Sequence, residues 1–200
     1  MPISLAKGQK ISLAKEAGST SLSKVVMGVG WDMAQTKRGG LLGGLFGGKS
    51  GSESIDLDAS CIMFDDQKQV VDVVYFGQLS SKDGSIRHTG DNLTGEGDGD
   101  DEQIIVELSR IPGAVKTLVF TVSSFRGQTF DQVANAFCRI VNGANNQEIA
   151  KYTLTSQGSH TAQIMAKLYQ HNGEWKMAAL GENCMGRTFQ DMMPTILPHV

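Results

Sequence analysis

Short apolar segments recur along almost the whole chain, and turn-forming residues separate them. The segments are rich in Val, Ile and Phe and are bounded by Gly, Pro, Asp or Ser, which is typical of β-strands. They lie at 23–31, 54–64, 69–79, 103–111, 115–125, 136–142, 148–155, 162–170 and 174–180. Helical patterns are confined to 130–137 and 188–197. The pattern predicts an all-β fold, an antiparallel β-sandwich of two sheets with one or two short helices.

Two local turn signals refine this prediction. Asn172-Gly173 separates the last two apolar segments, and an Asn-Gly pair is a strong signal for a hairpin. The pentapeptide ISLAK occurs at 3–7 and again at 11–15, with Gly8-Gln9-Lys10 between the copies. A three-residue connection that contains glycine favours a tight turn, so we also expect an N-terminal β-hairpin. The alternative is a chance similarity at a frayed terminus.

Length and composition indicate an ordinary globular chain. Its 200 residues are 40% hydrophobic and 20% charged, which suits one domain over 1–200 with a substantial core. No apolar run approaches the roughly 18 to 20 residues that span a bilayer, and the N-terminus lacks the apolar stretch of a signal peptide. Cys61, Cys138 and Cys184 form no CxxC motif, which predicts reduced, mostly buried thiols. We therefore expect a cytoplasmic protein without a membrane span.

The segment 39–51, GGLLGGLFGGKSG, interrupts the strand pattern with seven glycines. Ordering so many glycines is costly, so we expect a mobile loop between two strands. Its Leu and Phe residues also offer a contact site for a partner or a membrane surface. The run GGLFGGKS matches the spacing of a phosphate-binding loop, but a strand pattern follows it where that motif requires a helix.

The acidity of the chain is concentrated in GDNLTGEGDGDDE, residues 90–102. Six of these thirteen residues are acidic, and none is basic. Without these six the formal charge would be +3, because the total of −3 includes them. No cluster of Lys or Arg stands out, and this acidic segment would repel phosphate, so nucleic acid is not an expected partner.

Carboxylates crowded together repel each other unless they are protonated or compensated. Calcium compensates them well, because it takes six to eight oxygen ligands from carboxylates, amides and backbone carbonyls. The segment is not an EF-hand, because Asp101 occupies the position of that motif's glycine and a strand pattern follows. Asp56 and Asp58 alternate with apolar residues on a predicted strand, so both side chains project from one face. The alternative for residues 90–102 is a solvated acidic loop that binds no ion.

Four stretches of the sequence resemble the TerD family of tellurium resistance and stress-response proteins: VGWD, IDLDAS, HTGDNLTGEGDGDDE and SFRGQTFDQVANAFCRIVN. The resemblance runs over nearly the whole chain, and the glycine-rich insert before IDLD resembles the TerZ branch. The resemblance implies a calcium-binding β-sandwich in a bacterial cytoplasm. It also implies a role in resistance to tellurite and related oxidative stress, colicins and phage. The implied partners are other Ter proteins, including a membrane-embedded one.

The metal-binding motif of the family falls on ten residues of this sequence. They are Asp32, Asp56, Asp58, Asp91, Asn92, Glu96, Asp98, Asp100, Asp101 and Glu102. We expect two calcium ions, which would change the formal charge from −3 to +1. Which of the ten residues bind calcium directly is left open by the sequence.

Two functions remain open at this point. The first is a non-enzymatic module whose stability or partner surface depends on calcium. The second is a calcium-bridged receptor for a small ligand such as a nucleotide, or a metal-dependent enzyme, with Arg87 or Arg126 beside the acidic segment. The four histidines show no zinc-binding spacing, and Ser123-Ser124 lies in no GxSxG motif. His88 is expected to pack or form a hydrogen bond at the base of the acidic segment.

Overall fold

The computed structural model describes residues 2–18, 22–33, 55–90, 99–154 and 158–200. Twelve strands and two α-helices are assigned within these ranges. The strands are β1 (Ile3–Ser4), β2 (Lys10–Ser12), β3 (Val25–Met33), β4 (Asp58–Phe64), β5 (Val70–Val74), β6 (Ile86–His88), β7 (Glu102–Val106), β8 (Thr117–Ser123), β9 (Val133–Asn142), β10 (Glu148–Thr153), β11 (Ala162–His171) and β12 (Glu174–Cys184). The helices are α1 (Leu13–Glu16) and α2 (Phe189–Ile196), and 3-10 turns lie at Leu108–Arg110, Phe130–Gln132 and Leu197–His199. The predicted loop at 39–51 lies outside the described residues.

The strands form two six-stranded sheets, as the sequence pattern predicts. The first sheet has the order β1-β10-β9-β3-β7-β6, and the second has the order β2-β12-β11-β8-β4-β5. All pairs are antiparallel except β1 with β10, which is parallel. The all-β prediction is therefore confirmed, with one parallel pair at an edge.

The central core lies between the two sheets. Strand β4 and the residues before it show the alternation that builds this core: Ile55, Leu57 and Ala59 are buried in the central cluster. Ile62 and Phe64 belong instead to a second apolar cluster, with Met192 and Ile196 of α2. Helix α2 therefore covers the face of the second sheet that points away from the first. Asp56 and Asp58 alternate with the apolar residues Ile55 and Leu57, as predicted, and both aspartates are buried too.

Helix α2 confirms the helical prediction at 188–197. Thr188 and Asp191 form a capping box at its N-terminus, which satisfies backbone N–H groups that have no partner within the helix.

The hairpin prediction at Asn172-Gly173 is also confirmed. Asn172 has a φ of 53° and Gly173 a φ of 78°, and β11 and β12 pair directly across this turn. Two successive residues with positive φ are the requirement of the type I′ turn that Asn-Gly favours.

The predicted N-terminal hairpin is wrong. Strand β1 pairs with β10 of the first sheet, whereas β2 pairs with β12 of the second, so the two ISLAK copies bridge the two sheets. In the second copy Leu13 begins helix α1, and the Ser12 hydroxyl accepts a hydrogen bond from the Lys15 amide at 3.4 Å. Each copy pairs with an existing sheet edge and buries its own leucine, Leu5 or Leu13, which pairing with each other would not provide.

The helical prediction at 130–137 is also wrong for most of its length. Only Phe130–Gln132 forms a 3-10 turn, and β9 begins at Val133. Strand β9 lies between β3 and β10, and pairing on both sides outweighs the weak local helical preference. The three-residue strand β6 was not predicted, because its segment is too short to show a period.

Candidate metal centre

Three segments that carry predicted metal ligands meet at one end of the sandwich. Trp31, near the end of β3, joins them. Its backbone N–H donates to Oδ2 of Asp101 at 2.8 Å, and its indole Nε1 donates to the carbonyl of Ile55 at 3.2 Å. The residues before β7 and the residues before β4 are therefore both fixed against the end of β3.

Two glycines of β3 allow the acidic segment to lie this close. A Cβ atom on Gly28 would lie 2.2 Å from Cγ of Asp100, and one on Gly30 would lie 2.6 Å from the carbonyl oxygen of Gly99. A side chain at position 28 would therefore displace the Asp100 side chain, and one at position 30 would displace Phe137 as well as the Gly99 carbonyl. The GVG of VMGVGWD is the sequence signal for this contact, because glycine inside a strand often marks a close backbone approach.

Asp100 is compensated by a cation from β9, on the far side of β3. Its Oδ1 accepts from Nε of Arg139 at 2.6 Å and its Oδ2 from Nη2 at 3.1 Å, and Gln103 Nε2 donates to Oδ2 at 3.0 Å. Arg139 also reaches Glu148 at 3.1 Å. The hydrogen bonds to Asp100 are the main reason why the pKa of Arg139 is raised. Sequence analysis missed Arg139, because it lies 39 residues from Asp100 in the chain.

Asp101 is the described acid with the clearest electrostatic conflict. Burial raises the pKa of its carboxyl group, and the neighbouring carboxylates of Asp32 and Asp100 raise it further, whereas the hydrogen bond from Trp31 opposes the shift. Asp32 itself accepts a hydrogen bond from Asn135 Nδ2 at 2.8 Å. Asp32 and Asp100 therefore lie close enough to Asp101 to disfavour its ionised form.

Glu102 lies between the two sheets, and its side chain is completely buried. Its Oε2 accepts from the backbone N–H of Ala59 at 2.7 Å and lies 3.2 Å from Nε2 of His88. Nδ1 of His88 accepts the backbone N–H of Gly90 at 3.1 Å. Since Nδ1 is an acceptor, Nε2 carries the proton and donates to Glu102. His88 therefore forms hydrogen bonds at the base of the acidic segment, as expected.

The two acids before and at the start of β4 have different surroundings. Oδ2 of Asp56 lies 3.0 Å from Nε of Arg126, and the Asp56 amide donates to Gln128 Oε1 at 3.1 Å. Asp58 is buried opposite Ser123 of β8 and lines a cavity on the outer face of the second sheet. Of the two arginines weighed for a bridged ligand, Arg126 thus contacts Asp56, and Arg87 is exposed on the edge strand β6.

The described residues include only some of the predicted calcium ligands. Asp91, Asn92, Glu96 and Asp98 lie outside the described residues. Within the described ranges, no group of three His, Cys, Asp or Glu residues is arranged to hold a metal ion by itself. The described acidic residues differ in which groups compensate their charge. Asp100 and Glu102 have deeply buried side chains that bond to a cation or to N–H donors, whereas Asp101 lies in a crowd of like charge that a divalent cation would relieve. The residues at this end therefore fit calcium, with Asp100 and Glu102 better suited to support the site than to coordinate the ion.

The cysteines are placed as predicted, as free thiols. Cys61 and Cys138 are buried, and Cys184 is half-buried. Burial raises the pKa of Cys138 to about 12 and that of Cys184 to about 11, and it raises the pKa of Cys61 even more strongly. These thiols therefore stay protonated near neutral pH, which suits packing better than nucleophilic chemistry.

Comparisons with known proteins agree with the motifs. The TerD domain family matches residues 1–194. The chain is 51% identical over 198 residues to the tellurium resistance protein TerZ of Serratia marcescens, covering 99% of this chain and 98% of that protein. It is 42% identical over 200 residues to stress response protein SCP2 of Bacillus subtilis, covering 96% of this chain and 98% of that protein.

A solved structure shares the fold. It is described as a homologue of telluride resistance protein (TerD), SCO6318, from Streptomyces coelicolor A3(2). The TM-score is 0.66 at 20% identity, and the match covers 85% of this chain and 95% of the other. In the ranges described for this chain, α2 is the longest α-helix with eight residues, and no helix is long and apolar enough to span a bilayer.

Proposed function

The chain belongs to the TerD family of tellurium resistance and stress-response proteins, and we propose that it is a calcium-binding, non-enzymatic interaction module. We also propose that it acts in the cytoplasm, with other Ter proteins as partners, including a membrane-embedded one. Calcium binds at the end of the sandwich where β3, β4 and β7 meet.

The crowding of carboxylates around Asp101 supports this proposal most strongly. Asp32 and Asp100 both disfavour the ionised form of Asp101, and burial adds to the effect. Arg139 is already shared between Asp100 and Glu148. A divalent cation would supply the positive charge that Asp101 needs.

The proposed ligands come from the residues that surround this point. Asp32 and Asp101 lie at its centre, with Asp56 and Asp58 on the neighbouring strand end. The other proposed ligands, Asp91, Asn92, Glu96 and Asp98, come from the sequence motif and lie outside the described residues. Asp100 and Glu102 support the site. Asp100 bonds to Arg139, and Glu102 bonds to Ala59 and His88. When bound, calcium neutralises the charge and ties the acidic segment to both sheets.

Calcium that binds only the folded chain stabilises it by mass action, by about 2.7 kcal/mol at a free concentration one hundred times the Kd. For a domain of this size that corresponds to an increase of about 5–10 °C in Tm. We therefore expect chelator-treated protein to melt at a lower temperature and to recover when calcium is added.

Asp101→Asn is the variant that tests the site. The asparagine keeps an oxygen that accepts the Trp31 amide but removes the charge. Without calcium the variant should melt at the same temperature as the wild type or higher, because like-charge repulsion is lost. With calcium its Tm should rise much less.

Asp66→Asn is the matched control, because Asp66 is exposed in the turn between β4 and β5. Its melting curves should match those of the wild type in both conditions. Equal calcium-induced shifts for Asp101→Asn and Asp66→Asn would rule out the proposed site.

A further inference from the structure

Asp56, one of the proposed calcium ligands, already bonds to a cation of the protein. Its Oδ2 lies 3.0 Å from Nε of Arg126, a residue that follows β8 in the chain. The Asp56 side chain is 9% exposed, whereas that of Arg126 is 54% exposed. Oδ1, the other oxygen of the carboxylate, is buried away from solvent. A calcium ion that binds Asp56 therefore meets a carboxylate that Arg126 has partly neutralised.

The backbone around Arg126 is fixed independently of this ion pair. The Gly127 amide donates to the Ser124 carbonyl at 3.0 Å, and the Gln128 amide donates to Oγ of Ser124 at 3.0 Å. Oε1 of Gln128 in turn accepts the Asp56 amide at 3.1 Å. None of these bonds involves the Arg126 side chain. The turn can therefore stay in place while that side chain leaves the carboxylate, and the exchange requires only a change of rotamer.

A second arginine–aspartate pair provides a comparison. Arg139 bonds to both carboxylate oxygens of Asp100, also reaches Glu148, and has a side chain that is 30% exposed. The Arg126 side chain is more exposed, so water competes for its contact and salt screens it more strongly. Arg139 is thus suited to permanent support of the site, and Arg126 is suited to exchange with another cation.

Calcium and a guanidinium group on one carboxylate repel each other, because both are positive and the buried surroundings of Asp56 screen their charges weakly. Calcium has twice the charge of arginine and gathers several further oxygen ligands. Binding of the ion at Asp56 therefore favours departure of Arg126 into solvent.

We propose that Arg126 is an internal competitor for calcium: it bonds to Asp56 when calcium is absent and is released into solvent when calcium binds. This inference rests on the function proposed above and adds the regulation of that site. Arg126 stabilises the metal-free protein by partly neutralising a buried carboxylate. For the same reason it lowers the affinity for calcium, since the ion must displace it.

Arg126→Gln tests the competition by calorimetric titration of the metal-free full chain with calcium. Glutamine is polar, like arginine, but it is neutral and does not compete with the ion. The dissociation constant of one calcium site should fall about fivefold or more, because calcium no longer displaces a bound cation.

Arg187→Gln is the matched control, because it removes the same charge beside the same turn. The guanidinium of Arg187 lies over Gly127, where an added Cβ atom would be 3.1 Å from Nε. Among the ion pairs of the described residues, none includes Arg187. Its calcium affinity should stay within about twofold of that of the wild type, since salt screens a charge that does not contact the ligands.

Melting curves give a second measurement that does not depend on a binding model. With chelator, Arg126→Gln should melt about 1–3 °C below the wild type, because Asp56 has lost a cation. With saturating calcium this difference should disappear, because wild-type Arg126 no longer bonds to Asp56. A difference of the same size in both conditions would contradict the release of Arg126.

The results also distinguish this inference from the proposed function. Absence of saturable calcium binding by both the wild type and Arg126→Gln overturns both. Saturable binding that is unchanged or weaker in Arg126→Gln overturns only the inference, because Arg126 then has no influence on calcium or supports Asp56 in binding it. An equal gain in affinity for Arg126→Gln and Arg187→Gln also overturns the inference, since net charge alone then explains the effect.

Discussion

Arg139 holds the Asp100 carboxylate with two hydrogen bonds, from Nε to Oδ1 at 2.6 Å and from Nη2 to Oδ2 at 3.1 Å. The Asp100 side chain is 1% exposed and that of Arg139 is 30% exposed. Arg139 thus balances one acid of the crowded strand end and leaves Asp101 beside two carboxylates. The balance of charge at this point therefore depends on a residue outside the acidic motif.

We predict that Arg139→Met lowers the free energy of unfolding by about 2 kcal/mol. The variant leaves the buried Asp100 carboxylate without its cation, which costs roughly 3–5 kcal/mol for a fully buried pair and less where one partner is partly exposed. Urea unfolding measures the loss. In the double variant with Asp100→Asn, much of the loss should be recovered, because only the partly exposed Glu148 is then left without its cation. Full additivity of the two substitutions would show that the pair is not coupled.

Gly28→Ala should destabilise the protein and weaken calcium binding together. The new methyl group would lie 2.2 Å from Cγ of Asp100, so the Asp100 side chain must move away from β3 and disturb its bonds to Arg139. Overpacking of this kind costs roughly 1–3 kcal/mol. Gly113→Ala is the control, since no atom lies within 4 Å of its added Cβ and its φ is not positive. Equal stability of the two variants would contradict the contact.

His88 should be found as the neutral tautomer with its proton on Nε2. The Gly90 amide donates to Nδ1 at 3.1 Å, and Glu102 accepts from Nε2 at 3.2 Å. Two-bond nitrogen–proton correlation spectra above pH 8, where an ordinary histidine is neutral, distinguish the two tautomers. Glu102→Gln should cost roughly 1–3 kcal/mol, because a neutral amide oxygen replaces a charged acceptor in the hydrogen bonds from both Ala59 and His88. A proton on Nδ1 would refute this bonding pattern.

Stability should fall in acid partly through Asp191. Hydrogen bonds from the Arg187 and Thr188 amides lower the pKa of this carboxyl group below its usual 3.8. A lowered folded-state pKa contributes stability that is present above the unfolded pKa and is lost as the pH falls through the folded pKa. Urea midpoints should therefore decline less steeply below pH 4 for Asp191→Asn than for the wild type. Asp66→Asn should keep the wild-type slope. Parallel declines for Asp191→Asn and the wild type would show that Asp191 does not contribute to the loss of stability in acid.

The sequence allowed prediction wherever one residue type determines local geometry. Asn172-Gly173 identified its hairpin because that turn needs two positive φ angles. The alternation around Asp56 and Asp58 identified the apolar residues that enter the central core, although both aspartates are buried as well. Pairing between distant segments was not predictable in the same way. The ISLAK copies look like partners, yet each pairs with a different sheet edge.

The candidate site shows the same limit. The acids were predicted from their crowding, because like charges in one short segment require compensation. Arg139 and Asn135 take part through pairing across β-strands, and they lie 39 residues from Asp100 and 103 residues from Asp32 along the chain. His88, which is near the acidic segment in the sequence, was expected at its base. The glycines of β3 were visible in the sequence, but their role became clear only when Asp100 was found against Gly28.

Calorimetric titration of the metal-free protein with calcium tests the central claim most directly, because it measures ion identity, stoichiometry and affinity together. We predict saturable binding of about two Ca²⁺ ions per chain, weaker binding of Mg²⁺, which requires near-ideal octahedral geometry, and reduced binding by Asp101→Asn. The absence of saturable heat at millimolar calcium, or an Asp101→Asn titration identical to that of the wild type, would contradict the account.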